Sequence, residues 1–293
     1  MLVQLGLLDK VWSIITVNLS FSPGVAMSVL NDHDWEQIGR DFKSADPFPS
    51  ICIDNFLKPE FANLLAASYP DYLNAKNIGR EFSSVNEKLK VQVTDPAIFP
   101  DPVSKLCETL GSEEFLQTLS KVSGIQNLKW DPNFTGGGMH ITRPAGILDV
   151  HVDFNFEKKL NLYRRLNILI YLNPVWEQDW GGEVELWDRE VKGCKQAFLP
   201  LLNRCVLFAT SDFSFHGVTA VKAPDGITRN SLAAYYYTED AGDNAGEVWG
   251  GNHSTIFRAR PSEKGKKYLS MPLERIKRKC QRWLGKIKSK LKN

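Results

Sequence analysis

His151 and Asp153 sit two residues apart in the run ILDVHVDFNF, with Val150, Val152, Phe154 and Phe156 around them. Branched and aromatic neighbours favour a strand, and side chains two apart on a strand share a face. That face would carry an imidazole and a carboxylate, both able to bind metal. A third group, His216, follows Asp153 by 63 residues in SDFSFHGVTAV, at the start of another apolar run. Two imidazoles and one carboxylate fill one face of an octahedron and leave three positions open, which suits Fe(II) and dioxygen chemistry. Zinc favours a closed tetrahedron or a single open position. An HxD pair alone also arises as a surface hydrogen bond, so further residues must decide.

Arg229 supplies one. It follows His216 by 13 residues and opens RNSLAAYYYT, an otherwise apolar run. A guanidinium buried there needs an anion, because an unpaired charge inside a protein is costly. Arginine grips carboxylates through two parallel hydrogen bonds, and Ser231 lies two residues on, on the same face. A dicarboxylic co-substrate would satisfy both.

Taken with RRLNILIYLNPVWEQDWGGEVELWD between them, these residues resemble the Fe(II)/2-oxoglutarate-dependent dioxygenases, in their prolyl-4-hydroxylase-like branch, over about Phe48 to Thr238. The resemblance implies iron held by His151, Asp153 and His216, and 2-oxoglutarate held at its distal carboxylate by Arg229 with Ser231. Asn167 falls where the family often has a threonine touching the co-substrate. Thr142 stands nine residues before His151, where many members carry a tyrosine in the same role. The implied reaction consumes O2 and 2-oxoglutarate, releases succinate and CO2 and hydroxylates an organic substrate, with ascorbate a candidate accessory reductant. Asp153 fills the position that halogenating relatives vacate for chloride, which favours hydroxylation. The substrate could be a peptidyl proline, a small molecule, or a lipid- or glycan-linked group. The competing readings are a catalytically inactive jelly-roll binding module and a metal-dependent isomerase of cupin type; Arg229 with Ser231 argues against the last.

Other polar groups are weighed on the same terms. His140 would share a strand face with Thr142, either projecting into the pocket or hydrogen-bonded at a strand end. His33 and His253 fall in polar, loop-like segments and read as structural. Asp149 and Asn155 flank the ligand pair and are candidates for substrate or second-layer water contacts. Gly181-Gly182 reads as a tight turn, with Trp176, Trp180 and Trp187 as packing.

The elements that must position these residues divide the chain in two. Residues 58–67 and the stretch 101–124 carry apolar residues at helical spacing, the latter as two helices broken near Gly111 and stopped near Gly124. From residue 128 to 238, about eight short strand-like runs alternate with turn residues, including GMHIT and DVHVDFNF as separate strands. Helices first and strands after predict an α+β fold, a double-stranded β-helix (jelly roll) with helices packed on it. The predicted divisions are an N-terminal extension (1–46), a helical support (47–130), the jelly-roll core (131–260) and a basic tail (261–293).

Composition is that of a globular protein: 293 residues, 43% hydrophobic and 24% charged. Five dispersed cysteines without a CxxC pair predict reduced thiols and a cytoplasmic setting. The N-terminal apolar stretch is interrupted by Asp9 and Lys10 and reads as a packed helix rather than a signal peptide or membrane span. The net charge of +2 hides an asymmetry, since residues 264–293 hold 12 Lys or Arg and one acid, Glu274. The other residues then hold 24 basic against 33 acidic side chains. Ser270 as N-cap and Pro272 in the first turn predict a helix whose stripe is Leu273, Ile276, Cys280, Trp283, Leu284, Ile287 and Leu291. Such a helix suits an anionic membrane surface, which would place the protein at the inner membrane face, or docking on its own acidic body. Nucleic acid ranks behind both.

Overall fold

The computed structural model describes residues 29–242, 251–274 and 276. The expected N-terminal helix and most of the basic tail lie outside them. The elements before the main strands are α1 (Trp35–Ser44), within the expected N-terminal extension, and then β1 (Ser50–Ile53), α2 (Pro59–Ala67), α3 (Tyr72–Ile78), the hairpin β2 (Arg80–Ser83) and β3 (Glu87–Val93), α4 (Asp101–Leu110) and α5 (Glu113–Ser123). Local chemistry sets their ends. Ser112 Oγ accepts from Phe115 N–H to cap α5, and Gly124 ends it in the left-handed conformation at φ 79°. Residues 29–46 pack into this body: Val29, Leu30 and Phe42 lie in its main apolar core.

The remaining strands are β4 (Lys129–Trp130), β5 (Gly138–Val152), β6 (Phe156–Glu157), β7 (Leu162–Tyr171), β8 (Val184–Trp187), β9 (Cys194–Phe198), β10 (Cys205–Ala209), β11 (His216–Val218), β12 (Arg229–Thr238) and β13 (Ile256–Phe257). They form an antiparallel sheet in the order β1-β10-β7-β12-β5-β11-β8-β9, curled into the nearly closed barrel of a jelly roll. Side-chain alternation divides its two faces. Leu232, Ala234 and Tyr236 of β12, with Ile168 and Ile170 of β7, face the helices and join Leu106, Leu110 and Phe115 in the main core. The alternate residues, Arg229, Ser231 and Tyr235 of β12 and Asn167 and Leu169 of β7, face the barrel interior.

β5 differs from the sequence reading. GMHIT and the DVHV of the second run belong to one strand, which ends at Val152, so Asp153 lies just beyond it. The Pro-Ala-Gly segment between the two runs is a bulge. Lys88 pairs with Ile147 and Lys90 with Thr142, so residues 143–146 stand opposite Leu89 alone. Ala145 takes φ 64°, and the bulge exchanges backbone hydrogen bonds with Val221, at 2.8 Å from Ala145 N and 3.0 Å to Gly146 O. Through this bend the first half of β5 pairs with β12 and the second half with β11.

At the C-terminus the helical segment begins at residue 264 and passes through a π-helical turn at Lys266–Ser270. Ser270 is therefore inside the helix and not its N-cap. The earlier start is fixed where Glu263 O accepts from Lys267 N–H and Lys266 pairs with Asp149.

Gly138, at φ 86°, starts β5 with its backbone pressed on β3: an added Cβ would lie 2.1 Å from Val93 O. Gly138→Ala is expected to lower stability by about 1–3 kcal/mol, read as a drop in the urea midpoint at constant slope. An unchanged midpoint would show that the contact between β3 and β5 is not tight.

Candidate metal centre

The pairing of β5 with β11 sets His216 directly opposite His151, with ring centroids 4.3 Å apart. Each ring is oriented by the backbone carbonyl two residues before it. His151 Nδ1 lies 2.8 Å from Asp149 O and His216 Nδ1 lies 2.9 Å from Ser214 O. A carbonyl only accepts, so both protons sit on Nδ1 and both Nε2 lone pairs are free to bind a cation. Asp153 completes the set, its oxygens 3.5 Å from His151 Nε2 and 3.4 Å from His216 Nε2. Ligands cis to each other at about 2.1 Å from one ion stand about 3 Å apart. The three side chains therefore fit a divalent metal. They are the one such group of His, Cys, Asp or Glu among the described residues.

Asp153 is held from behind. Arg164 Nη2 is 3.0 Å from Oδ2, and Asn167 Nδ2 donates to the same oxygen at 2.8 Å. Arg164 Nε also donates to Asn167 Oδ1 at 2.8 Å, and its guanidinium stacks 3.3 Å from the Tyr235 ring centroid. Burial pushes the Asp153 carboxyl up, but Arg164 and the two imidazoles outweigh it and hold the group well below the ordinary carboxylate range. Burial, with His151 adjacent, pushes the His216 imidazole down against the pull of Asp153. Both shifts favour the ligand forms, an ionised acid and a neutral imidazole.

The open side of this cluster faces a cavity of about 820 Å³, whose wall also carries Arg229. Arg229 is 5% exposed. Its Nε donates to Gly182 O at 2.6 Å and its Nη2 to Tyr171 Oη at 3.2 Å. No carboxylate pairs with it among the described residues, and burial depresses its pKa. Gly182, at φ 74°, is shaped by this contact, since a Cβ there would lie 3.1 Å from Arg229 Cδ. Ser231 and Thr142 line the same cavity, Thr142 being the cross-strand partner of Arg229. His140 does both things open to it: it lines the cavity and its Nε2 lies 3.3 Å from the Gln92 amide nitrogen.

Asn167 is turned to the carboxylate of Asp153, an orienting contact that sequence reasoning did not foresee. Asp149 and Asn155 are corrected. Asp149 is fully buried against Lys266 and Arg260, at 2.5 and 3.6 Å, and Asn155 binds the backbone at Gly251 and His253. Neither lines the cavity. His33 stacks on Phe56, and His253 meets Asp212 at 2.8 Å, both structural. Arg164 and Tyr171 were missed. Arg164 had a signal, a cation in an apolar run, which is the rule that picked out Arg229; a tyrosine in a strand carries none.

Residues 137–237 match the family model of the 2OG-Fe(II) oxygenase superfamily. Over 198 residues the chain is 26% identical to the prolyl 3-hydroxylase OGFOD1 of Mus musculus, a match that covers 66% of this chain and 33% of that protein. The chain thus spans about a third of the length of the curated relative it matches. It superposes with a TM-score of 0.52 on a Pseudomonas putida prolyl-4-hydroxylase, at 15% identity, covering 69% of this chain and 98% of that one. A Trichoplax adhaerens prolyl hydroxylase, solved with a peptide fragment of the hypoxia inducible factor oxygen degradation domain, gives 0.52 at 17% identity, covering 72% and 96%. At these identities the likeness to solved structures is one of fold.

Arg164→Leu strips the buried carboxylate of its guanidinium, and metal-free protein is expected to lose about 3–5 kcal/mol in urea unfolding. The depressed Asp153 pKa contributes stability above the unfolded carboxylate pKa, lost as pH falls through the folded value. The variant should therefore show a shallower acid loss of stability than the wild type. Identical acid limbs would deny Arg164 its part in holding Asp153 ionised.

Proposed function

We propose, from the match of residues 137–237 to the family model of the 2OG-Fe(II) oxygenase superfamily, that this chain is a 2-oxoglutarate-dependent hydroxylase with its iron on His151, Asp153 and His216. One observation carries the assignment to these residues: a metal-fitting triad and a buried guanidinium without an anion share one cavity. When bound, Fe(II) supplies the oxidative decarboxylation of 2-oxoglutarate and the hydroxylation coupled to it.

The chain's own groups account for binding and orientation. Arg229 takes the distal carboxylate of 2-oxoglutarate, replacing solvent with the anion its burial demands. Tyr171 Oη accepts from Arg229, so its own proton is free to point at the same carboxylate, and burial pushes that phenol up to about 12, keeping the proton in place. Ser231 and Thr142 offer hydroxyls on the same wall. Burial, with Lys90 and Arg229 nearby, holds the His140 imidazole well below its ordinary range, so it enters the cavity neutral. The keto-diacid fills only part of 820 Å³, and the rest is room for an organic substrate. The prolyl hydroxylases that the chain resembles support peptidyl proline as the first substrate to try.

Succinate formation from 2-oxoglutarate, with Fe(II) supplied, tests the assignment. Asp153→Ala should abolish it in a folded protein. Arg229→Leu removes charge-assisted hydrogen bonds worth about 1.5–3 kcal/mol, so the KM for 2-oxoglutarate should rise about 10- to 150-fold. Normal turnover by Asp153→Ala, or an unmoved KM in Arg229→Leu, would overturn the residue roles.

A further inference from the structure

We infer that the helix beginning at residue 264 is a docking face for an anionic lipid bilayer, set at the rim of the cavity. The helix has two sides with opposite commitments. On the inner side Lys266 Nζ reaches the fully buried Asp149 at 2.5 Å and Glu263 at 3.1 Å, while Met271 is buried. Arg260, just before the helix, bridges Asp149, Glu185 and the Val218 carbonyl, at 3.6, 2.6 and 3.2 Å. The helix is thereby fastened to the body, and Glu274 on it lines the cavity.

The outer side is apolar and uncovered. Tyr268 is 71% exposed, Leu269 63%, Leu273 56% and Ile276 59%. Scattered exposed apolar residues are ordinary, but four within nine positions of one short helix form a patch. Among the described residues, the helix therefore starts with Leu273 and Ile276 turned away from the body. Beyond Ile276 the sequence keeps the same steps of three and four with Cys280, Trp283, Ile287 and Leu291.

Charge selects the occupant. Residues 264–293 carry 12 Lys or Arg against one acid, and Lys264 and Lys267 flank the patch on exposed positions. A bilayer rich in anionic headgroups takes up both features, with apolar side chains among the acyl chains and cations among the phosphates. Nucleic acid would neutralise the cations but leave the apolar side chains in water. Because the fastening to Asp149 and Glu185 makes helix and barrel one body, docking would hold the cavity rim at the membrane surface.

Deleting residues 264–293 is a poor test, since it would also take Lys266 from the fully buried Asp149. Co-sedimentation of the full chain with vesicles answers the question directly. One set is equal parts phosphatidylglycerol and phosphatidylcholine, and the other phosphatidylcholine alone. Wild type should bind the anionic set at least about tenfold more tightly than the neutral one. Leu269→Glu/Leu273→Glu/Ile276→Glu should weaken that binding at least about tenfold, with the unfolding midpoint and succinate formation unchanged. Equal binding of wild type and triple variant to anionic vesicles would overturn the docking face. So would binding that ignores headgroup charge, release of the protein from vesicles by duplex DNA, or no binding at all.

Discussion

Four charged or ionisable groups must balance at one wall of the barrel's cavity: the carboxylate of Asp153, the imidazoles of His151 and His216, and the guanidinium of Arg164. A buried carboxylate alone would take up a proton rather than stay ionised. Arg164 and the two rings reverse that tendency, and Asn167 fills a further acceptor position. Asp153 and His216 are thus held in the protonation states that a cation would need. At the far wall the balance is left open. Arg229 is as buried as Asp153's partners, but its contacts are a carbonyl and a phenol, neither of which cancels its charge. The site has a place for a cation at one end and for an anion at the other.

The sheet makes this possible by keeping its two faces apart. Along β7 and β12 every second residue enters the core beneath the helices, and the residues between enter the barrel. Arg229 and Ser231 thus reach the cavity from a strand whose other face is as apolar as any in the protein. β5 carries the second device. Its bulge opposite Leu89 lets one strand serve both walls, with Thr142 beside Arg229 and His151 beside His216. The bend joins the two ends of the site.

What the sequence disclosed follows from these rules. The triad and Arg229 were legible because each is a polar group in an apolar run, a pattern that packing alone does not explain. The helices 101–110 and 113–123 were legible from spacing and from Gly111 and Gly124. Asp153 was found by an alternation argument that holds only to Val152, so it shares the site with His151 without sharing the strand. The continuity of β5 through Pro144 depends on β3 and Val221, partners distant in sequence. Asp149 looked like a site residue because its partners, Lys266 and Arg260, lie more than a hundred positions away. Local pattern gives the residue types, and distant pairings decide where they point.

A cavity with a cation at one end and a guanidinium at the other should bind one keto-diacid across both. The direct measurement is a calorimetric titration of 2-oxoglutarate, without oxygen, into metal-free protein and into protein loaded with Fe(II). Spanning requires that metal tighten 2-oxoglutarate binding and that 2-oxoglutarate tighten metal binding by the same factor. Equal affinity for 2-oxoglutarate with and without the metal would mean that the triad and Arg229 do not serve one molecule.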